Sequence, residues 1–330
     1  MGQNTDQNFP LPFYRYSRYL KEKYGQPVYR ISVDAGFTCP HRNPDGSGGC
    51  TFCDELGSRA AYQEDVVDGS LLMIRRGGTV DNNRLELVRR QIARGEEFLS
   101  RRYGASAFIL YFQAFTNTFA PVEELRKLYD FALSQSRFRE MIVSTRPDCV
   151  SGQVAELLSS YRAPGFDVWV ELGLQSAHDK TLRRVGRAHT VEDFGDAFAL
   201  LRKAGLKLCI HLIFGLPGES RGMIMDTVDY TASLLPDAVK IHNINIAEGT
   251  LLQDEYLSGE YTVPSDQRHL EYVIEALRRL PPATVIQRVT CDTAETRRTA
   301  PLRFMAKSRF YQALDARMKQ RGVSQGDMLS

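Results

Sequence analysis

The stretch LKLCIHLIF-GLPGE, residues 206–219, decides the fold. Its first nine residues are an apolar run of the length of one buried strand, and GLPG at 215–218 is a turn signal. Residues 221–234, RGMIMDTVDYTASL, follow with apolar residues at helical spacing. A buried strand followed at once by a helix is the repeating unit of a parallel α/β sheet.

The same unit recurs outward along the chain. Strands are predicted at residues 28–33, 107–112, 141–144, 168–172, 206–214, 239–244 and 285–289. Helices are predicted at residues 84–102, 122–136, 152–161, 180–185, 191–204, 221–234 and 267–280. Six or seven βα units are too few for a closed eight-stranded barrel. The predicted fold is therefore α/β, a partial (βα)6-type TIM-like barrel with parallel strands and a C-terminal α-rich extension.

We divide the chain into an N-terminal extension (1–27), a partial-barrel core (28–264) and a C-terminal extension (265–330). In such folds the functional residues gather at the C-terminal ends of the strands. We use that rule to locate the candidate site.

The composition is that of a folded globular protein and not of a disordered, fibrous or strongly basic one. The 330 residues are 43% hydrophobic and 25% charged, as in ordinary globular enzymes, and 42 Lys and Arg against 40 Asp and Glu give a net charge of only +2. The N-terminus has no continuous apolar segment, and the longest apolar runs are too short to cross a bilayer. We therefore expect a cytoplasmic protein with no membrane role, and the sequence leaves its oligomeric state open.

Three of the six cysteines lie within fifteen positions, in the loop Cys39-Pro-His-Arg-Asn-Pro-Asp-Gly-Ser-Gly-Gly-Cys50-Thr-Phe-Cys53. A [4Fe–4S] cluster normally takes four thiolates, so three leave one iron open for another ligand. An open iron can chelate S-adenosylmethionine (SAM) and pass an electron to its sulfonium. The alternative is a structural zinc site of Cys39, His41, Cys50 and Cys53, since zinc accepts three thiolates and an imidazole.

Several ordered motifs between Tyr29 and Val289 resemble the radical SAM superfamily. The likeness is to the branch near the elongator catalytic subunit and oxygen-independent coproporphyrinogen oxidase, and within it to a bacterial subgroup. Ten residues separate Cys39 from Cys50 where the superfamily usually has three, a longer gap that this subgroup also has. The resemblance implies a [4Fe–4S] cluster on Cys39, Cys50 and Cys53, with SAM as the second cofactor.

The resemblance also implies cofactor-binding residues. Phe52 stands where the family places an aromatic residue over adenine. Gln113, Asn117 and Thr118 stand where many relatives bind the methionyl amine with a Gly-Gly-Glu turn. Glu171 and Gln175 belong to a Glu-x-Gly-x-Gln-Ser signature.

Two further motifs follow downstream. Arg184, Arg187 and His189 resemble an Arg-Gly-His region, in which Arg184 is the predicted partner of the methionyl carboxylate. Gly215 opens the Gly-Leu-Pro-Gly-Glu turn, where the family's backbone approaches adenine.

Lys240 and His242 are the predicted catalytic residues. They are two positions apart on a predicted strand, so both side chains point to the same face, toward the barrel interior. A buried lysine is costly without a partner, which favours a functional role.

The function predicted from these residues is that of a radical SAM enzyme. Its reduced cluster cleaves SAM to a 5′-deoxyadenosyl radical, which abstracts hydrogen from an organic substrate, with a tRNA nucleoside as the candidate. The expected partners are a one-electron donor, flavodoxin or ferredoxin, and tRNA. The alternatives are a zinc-stabilised RNA-binding protein and a tetrapyrrole-pathway radical SAM enzyme. Asp54 counts against the tetrapyrrole alternative, since those enzymes tend to have a further cysteine there.

Overall fold

A computed structural model describes residues 11–43, 48–54, 78–291, 293 and 297–329. Seven strands form one parallel sheet in the order β1-β2-β3-β4-β5-β6-β8. They are β1 (Tyr29–Val33), β2 (Phe108–Phe112), β3 (Phe138–Thr145), β4 (Asp167–Gln175), β5 (Lys207–Phe214), β6 (Ala238–Asn243) and β8 (Val285–Arg288). The sheet confirms the predicted partial parallel barrel, with seven strands.

Helices connect these strands. They are α1 (Tyr16–Tyr24), α2 (Asn82–Tyr103), α3 (Val122–Ser134), α4 (Gly152–Ser160), α5 (Asp179–Arg184), α6 (Val191–Lys203), α7 (Arg221–Ser233), α8 (Leu251–Leu257), α9 (Asp266–Arg279) and α10 (Lys307–Arg321). Helices α2, α6 and α9 begin at side-chain caps: Asp81, Thr190 and Ser265 each accept a hydrogen bond from a backbone N–H of the first turn. No helix within the described ranges is both long and apolar enough to cross a membrane.

The apolar residues form two layers around the sheet. The larger core lies between the sheet and the surrounding helices and includes Leu110, Val170 and Phe310. The smaller core fills the N-terminal end of the barrel around Trp169. Tyrosines in α1 and just before it pack against this core. Helix α1 therefore closes the N-terminal end of the barrel and leaves the C-terminal end as the open mouth.

The last segment of the chain is joined to the barrel. Strand β8 pairs with β6, so the predicted extension 265–330 contributes a strand to the main sheet. Near the C-terminus the backbone N–H of Gln325 donates to the carbonyl of Pro12 (2.8 Å). A two-stranded antiparallel ribbon, β7 (Ile246–Ala247) with β9 (Arg298–Ala300), stands beside the sheet. The division of the chain at 27/28 and 264/265 stays a prediction.

Candidate active site

A cavity of about 910 Å³ opens at the C-terminal ends of the strands. It is the size of a site for a cofactor and a substrate together. Most of the residues predicted from the sequence line it: Cys39, Cys50, Phe52, Cys53, Gln113, Glu171, Gln175, Lys240 and His242. The topology therefore brings together residues that lie up to 203 positions apart, from Cys39 to His242.

The three loop cysteines face this cavity as free thiols. The Cys39 Sγ is 3.1 Å from the Thr116 hydroxyl, and the Cys50 Sγ is 3.6 Å from a guanidinium nitrogen of Arg187. Burial raises the pKa of Cys53 to about 12, so this thiol ionises only beside a positive charge such as iron. Three thiols that line one cavity, with a guanidinium donor aimed at the Cys50 sulfur, fit a cluster that needs thiolate ligands and hydrogen bonds to sulfur.

The cysteine loop is held by the turn that ends α5. The Thr51 N–H donates to the Val185 carbonyl (3.0 Å), and the Leu252 N–H of α8 donates to the Thr51 carbonyl (3.0 Å). Gly186 has a φ of +64°, and a Cβ there would be 2.9 Å from the Gly49 carbonyl oxygen. Glycine is therefore required where the turn meets the loop.

His41, the fourth ligand of the zinc alternative, lies close to arginines. Its Nε2 is 3.5 Å from the Cys50 Sγ and 3.4 Å from a guanidinium nitrogen of Arg146. Burial, and then the charges of Arg146 and Arg187, lower its pKa to about 4. Among the described residues, no three His, Cys, Asp or Glu side chains are placed to hold one metal ion.

The turn after β2 has unusual backbone geometry. Ala114 (φ +72°) and Phe115 (φ +54°) both adopt the left-handed conformation that favours glycine. This is the turn predicted to correspond to the family's Gly-Gly-Glu. Gln113 points into the cavity from its start.

Asn117 and Thr118 lie outside the cavity lining. The Asn117 amide donates to the carbonyls of Ala114 and Ser144, both at 3.1 Å. The Thr118 hydroxyl donates to the Cys149 carbonyl at 2.7 Å. Both side chains thus hold the turn in place, and their predicted contact with SAM stays a prediction.

Arg187 enters the cavity, whereas Arg184, three residues earlier, lies outside its lining. The Arg184 guanidinium is 45% exposed and binds both Glu255 oxygens at 2.7 and 2.6 Å. Arg187 is 7% exposed, donates to the Gly173 carbonyl at 3.0 Å, and leaves its Nε without a partner. A Cβ at Gly173 would lie 2.5 Å from the Arg187 guanidinium, so glycine permits this close approach.

Gln175 and its neighbour Ser176 connect the motifs of two strands. Gln175 has a φ of +70°, and its buried Oε1 has no hydrogen-bond partner. Such backbone strain with an unsatisfied polar atom is common at ligand sites. The Ser176 hydroxyl donates to Glu219 (2.5 Å), which joins the end of β4 to the Gly-Leu-Pro-Gly-Glu turn after β5.

Glu171 and Lys240 form an ion pair at the floor of the cavity. The Lys240 Nζ is 2.8 Å from a Glu171 oxygen and 2.8 Å from the Tyr111 hydroxyl. Glu171 also accepts from Arg30 (3.3 Å) and Ser144 (3.1 Å). Burial favours the neutral form of each partner, yet their opposite charges raise the pKa of Lys240 and lower that of Glu171. Both are therefore charged at neutral pH.

A histidine pair lies beside this ion pair, with His211 on β5 in register with Lys240 on β6. The rings of His211 and His242 meet edge to face, with centroids 4.1 Å apart. Burial, and then nearby positive groups, hold the pKa of His242 well below its usual range. An Arg288 guanidinium nitrogen lies 3.4 Å from the His242 Nε2.

The two remaining predicted residues lie beside the barrel mouth. Phe52 packs with the apolar cluster of Ile213, Ile244 and neighbouring residues. Gly215 is outside the cavity lining, and its carbonyl accepts a hydrogen bond from the Tyr261 hydroxyl. A Cβ at Gly215 would lie 2.6 Å from Pro264, so this position is closely packed.

The cavity lining also includes Tyr111, Arg146, Arg187 and Arg288, which sequence reasoning did not assign to the site. Tyr111 and Arg146 follow apolar runs at or near strand ends, a position that signals a site. Arg187 was noted beside Arg184, but spacing alone does not tell which of the two faces inward. Arg288 also lies at a strand end, that of β8.

Comparison with known proteins identifies the family. The Radical SAM superfamily model matches residues 37–231, and the Radical_SAM C-terminal domain model matches residues 236–320. Protein MJ0486 of Methanocaldococcus jannaschii is 32% identical over 315 residues, 95% of this chain and 91% of its own. Protein YhcC of Escherichia coli is 33% identical over 284 residues, 86% of this chain and 84% of its own. A tRNA uridine(34) acetyltransferase of Methanocaldococcus infernus is 30% identical over 179 residues, 53% of this chain but only 32% of its own.

Solved structures show the same fold. The archaeal Methanocaldococcus infernus Elp3 superposes with a TM-score of 0.64 at 21% identity, covering 90% of this chain and 64% of that one. Methylornithine synthase (PylB) superposes with a TM-score of 0.54 at 12% identity, covering 94% of this chain and 86% of that one.

These matches settle the class of the protein and leave its substrate open. They support an enzyme and give no support to the zinc-stabilised RNA-binding alternative. The chain belongs to the radical SAM superfamily, as an enzyme that uses a [4Fe–4S] cluster and S-adenosylmethionine.

Proposed function

We propose that this enzyme abstracts a hydrogen atom from a tRNA nucleoside. Cys39, Cys50 and Cys53 would hold the cluster, and Arg187, Gln175 and Gln113 would contact SAM. When bound, these cofactors supply a 5′-deoxyadenosyl radical, which removes hydrogen from an unactivated carbon. The chain's own residues bind the substrate and orient it, and Lys240 and His242 are the candidates for contact with its reacting part.

The observation that carries the tRNA proposal is a set of basic residues lining the cavity. We call Arg297, Arg298 and Lys307 the basic rim; all three line the cavity. Phosphate contacts by Lys and Arg supply most of the affinity of proteins for nucleic acids. A nucleoside entering the cavity would carry its flanking phosphates past these residues. Similarity to the tRNA uridine(34) acetyltransferase of M. infernus supports the same substrate class.

The proposal includes a partner and a compartment. Reduction of the cluster needs a one-electron donor, for which flavodoxin or ferredoxin is suitable. All six cysteines are free thiols, which suits a reducing compartment. We therefore place the enzyme in the cytoplasm.

The test uses reconstituted enzyme under anaerobic conditions with SAM, dithionite and unfractionated tRNA. We expect tRNA to stimulate formation of 5′-deoxyadenosine and one nucleoside to change mass after digestion. Coproporphyrinogen III is the parallel substrate for the tetrapyrrole alternative. Stimulation by coproporphyrinogen III with no effect of tRNA would overturn the proposal.

A second test addresses the basic rim by charge reversal. The double variant Arg298→Glu/Lys307→Glu should bind tRNA about tenfold more weakly at low salt, because two phosphate contacts become repulsive. The matched control is Arg202→Glu/Lys203→Glu on the exposed outer face of α6. Equal affinity of the two double variants would contradict a role for the rim. Filter binding measures both.

A further inference from the structure

The cavity carries more positive than negative side chains. Among its described lining residues, nine are Lys or Arg and two are carboxylates. The cations are Arg30, Arg42, Arg146, Arg187, Lys240, Arg288, Arg297, Arg298 and Lys307, and the carboxylates are Asp54 and Glu171. Such an imbalance in a concave site attracts anions and repels cations.

Several of these cations are already neutralised by a carboxylate. The pairs are Arg30 with Glu171 (3.3 Å), Lys240 with Glu171 (2.8 Å), Arg146 with Asp148 (2.9 Å) and Arg297 with Asp54 (2.7 Å). Arg187 donates to the Gly173 carbonyl and to the Cys50 sulfur, so its guanidinium is bound to the cysteine loop. Arg42 likewise donates to the carbonyls of Cys53 and Asp54.

Arg288 differs from these residues. It is half-buried at the end of β8, in register with Lys240 on β6. Its one hydrogen-bond partner is the His242 Nε2 at 3.4 Å, and within the described ranges no carboxylate pairs with it. A half-buried guanidinium beside a lysine, without a counter-ion of its own, is electrostatically costly.

The groups beside Arg288 do not lower that cost. A guanidinium only donates, so the His242 Nε2 accepts, and the proton of the neutral ring lies on Nδ1. His211 packs against His242, and its Nε2 is buried without a partner. Burial, then the charges of nearby cations, keep the pKa of both rings far below neutrality, so neither adds a charge. The surroundings thus hold hydrogen-bonding groups and lack a negative charge.

We propose that Arg288, with His242 as the acceptor that orients its guanidinium, forms a subsite for one anionic group of the substrate, a carboxylate or a phosphate. The planar guanidinium fork matches either group with two parallel hydrogen bonds. The bound anion would supply the counter-charge that Arg288 lacks and would hold the substrate above Lys240. This inference rests on the proposed function and adds to it: the nucleoside that enters the cavity carries a negative charge of its own besides the flanking phosphates.

The test measures anion binding to the reconstituted holoenzyme with SAM under anaerobic conditions. Malonate is the carboxylate probe and inorganic phosphate is the phosphate probe, each at millimolar concentration against chloride of equal ionic strength. One of them should raise the Tm by about 2 °C or more, because a ligand that binds only the folded state stabilises it. Which probe acts distinguishes a carboxylate from a phosphate.

Variants decide whether Arg288 is responsible. Arg288→Gln should lose the shift, and Arg288→Lys should keep part of it. The matched control Arg202→Gln, an exposed arginine that donates to the Leu235 carbonyl, should keep all of it. Shifts of equal size in every variant, or no shift in the wild type, would overturn the inference. Formation of 5′-deoxyadenosine with tRNA, measured in the same wild-type samples, reports separately on the proposed function.

Discussion

The Glu171–Lys240 pair shows at single-residue level how the barrel tolerates charge in its interior. Their side chains are 2% and 5% exposed, so each depends on the other and on Arg30 and Tyr111 for compensation. Removing Lys240 alone leaves the buried Glu171 charge with only the more distant Arg30 as its cation, whereas neutralising Glu171 as well takes away the charge that Lys240 compensates.

Substituting Lys240 alone should therefore be costly. Lys240→Met should lower the free energy of unfolding by about 3 kcal/mol, because the buried Glu171 loses its closest cation. The double variant Lys240→Met/Glu171→Gln should recover part of that loss, because the amide carries no charge and its oxygen can still accept from Arg30. Urea denaturation measures both, and Arg18→Met, which removes an exposed pair with Glu22, is the control with a much smaller expected cost. Similar losses in the buried and exposed variants would contradict this account.

Arg187 and Arg184 provide a second comparison. Arg187→Met should reduce 5′-deoxyadenosine formation about tenfold or more and shift the reduction potential of the cluster, because it removes a donor to the Cys50 sulfur. Arg184→Met breaks a surface pair with Glu255 and should change activity less than twofold. The opposite ranking in product assays and redox titrations would contradict this account and support Arg184 as the methionyl-carboxylate partner.

Some of these site residues could be predicted from the sequence, and others could not. Spacing and chemistry singled out the three cysteines, and period two on a strand placed Lys240 and His242 in one cavity. Arg184 and Arg187 are separated by the end of α5 and the left-handed Gly186, so helical period does not determine their directions. Arg288 stands out only because its neighbours lack a carboxylate, a property of the folded chain.

At the level of elements, the turn after α5 determines where the cysteine loop lies. Val185 accepts the Thr51 N–H, and Gly186 contacts Gly49 across a gap too small for a Cβ. The helix end and the loop are thus built as one unit, although more than 130 positions separate them.

Gly186→Ala tests this connection. The added methyl group would require a strained φ and would push against the Gly49 carbonyl, so the loop should shift. We expect reduced iron content after reconstitution with little change in helix content by circular dichroism. The control is Gly104→Ala, also at a positive φ but with open space around it. Full iron content in the Gly186 variant would contradict the proposed dependence.

Strands and helices were the most predictable elements. Apolar runs placed all seven sheet strands, because strands buried on both faces are rich in apolar residues. The turn at Ala114 and Phe115 was not predictable in its conformation, since neither residue type favours a positive φ. Tertiary contacts, such as Arg42 over the Phe115 ring, accompany that conformation.

Across the whole molecule, buried neutral histidines make stability depend on pH. His269, 1% exposed, joins α9 to the segment after β8 through the Val289 carbonyl (2.9 Å), and burial lowers its pKa to about 4. The unfolded chain, with a histidine pKa near 6.5, then binds more protons than the folded chain between pH 4 and 6.5. Stability therefore rises with pH through this window and is lost as the pH falls from 6.5 to 4.

Replacing His269 should flatten this dependence. His269→Gln keeps an N–H donor for Val289 but does not titrate, so it should remove roughly 3 kcal/mol of the stability change between pH 6.5 and 4. Urea denaturation of the wild type and the variant at several pH values measures the difference. Parallel stability curves for the two proteins would show that His269 is not responsible.

The central claim is that Cys39, Cys50 and Cys53 hold a cluster that enables SAM cleavage in this cavity. The most direct measurement is iron content and 5′-deoxyadenosine formation after anaerobic reconstitution and dithionite reduction. We predict about four irons per chain and product in the wild type and in Cys149→Ala, a thiol outside the cavity lining, with loss of both in Cys39→Ala/Cys50→Ala/Cys53→Ala. Product from the triple variant, or a colourless wild type that binds zinc and forms no product, would contradict the account.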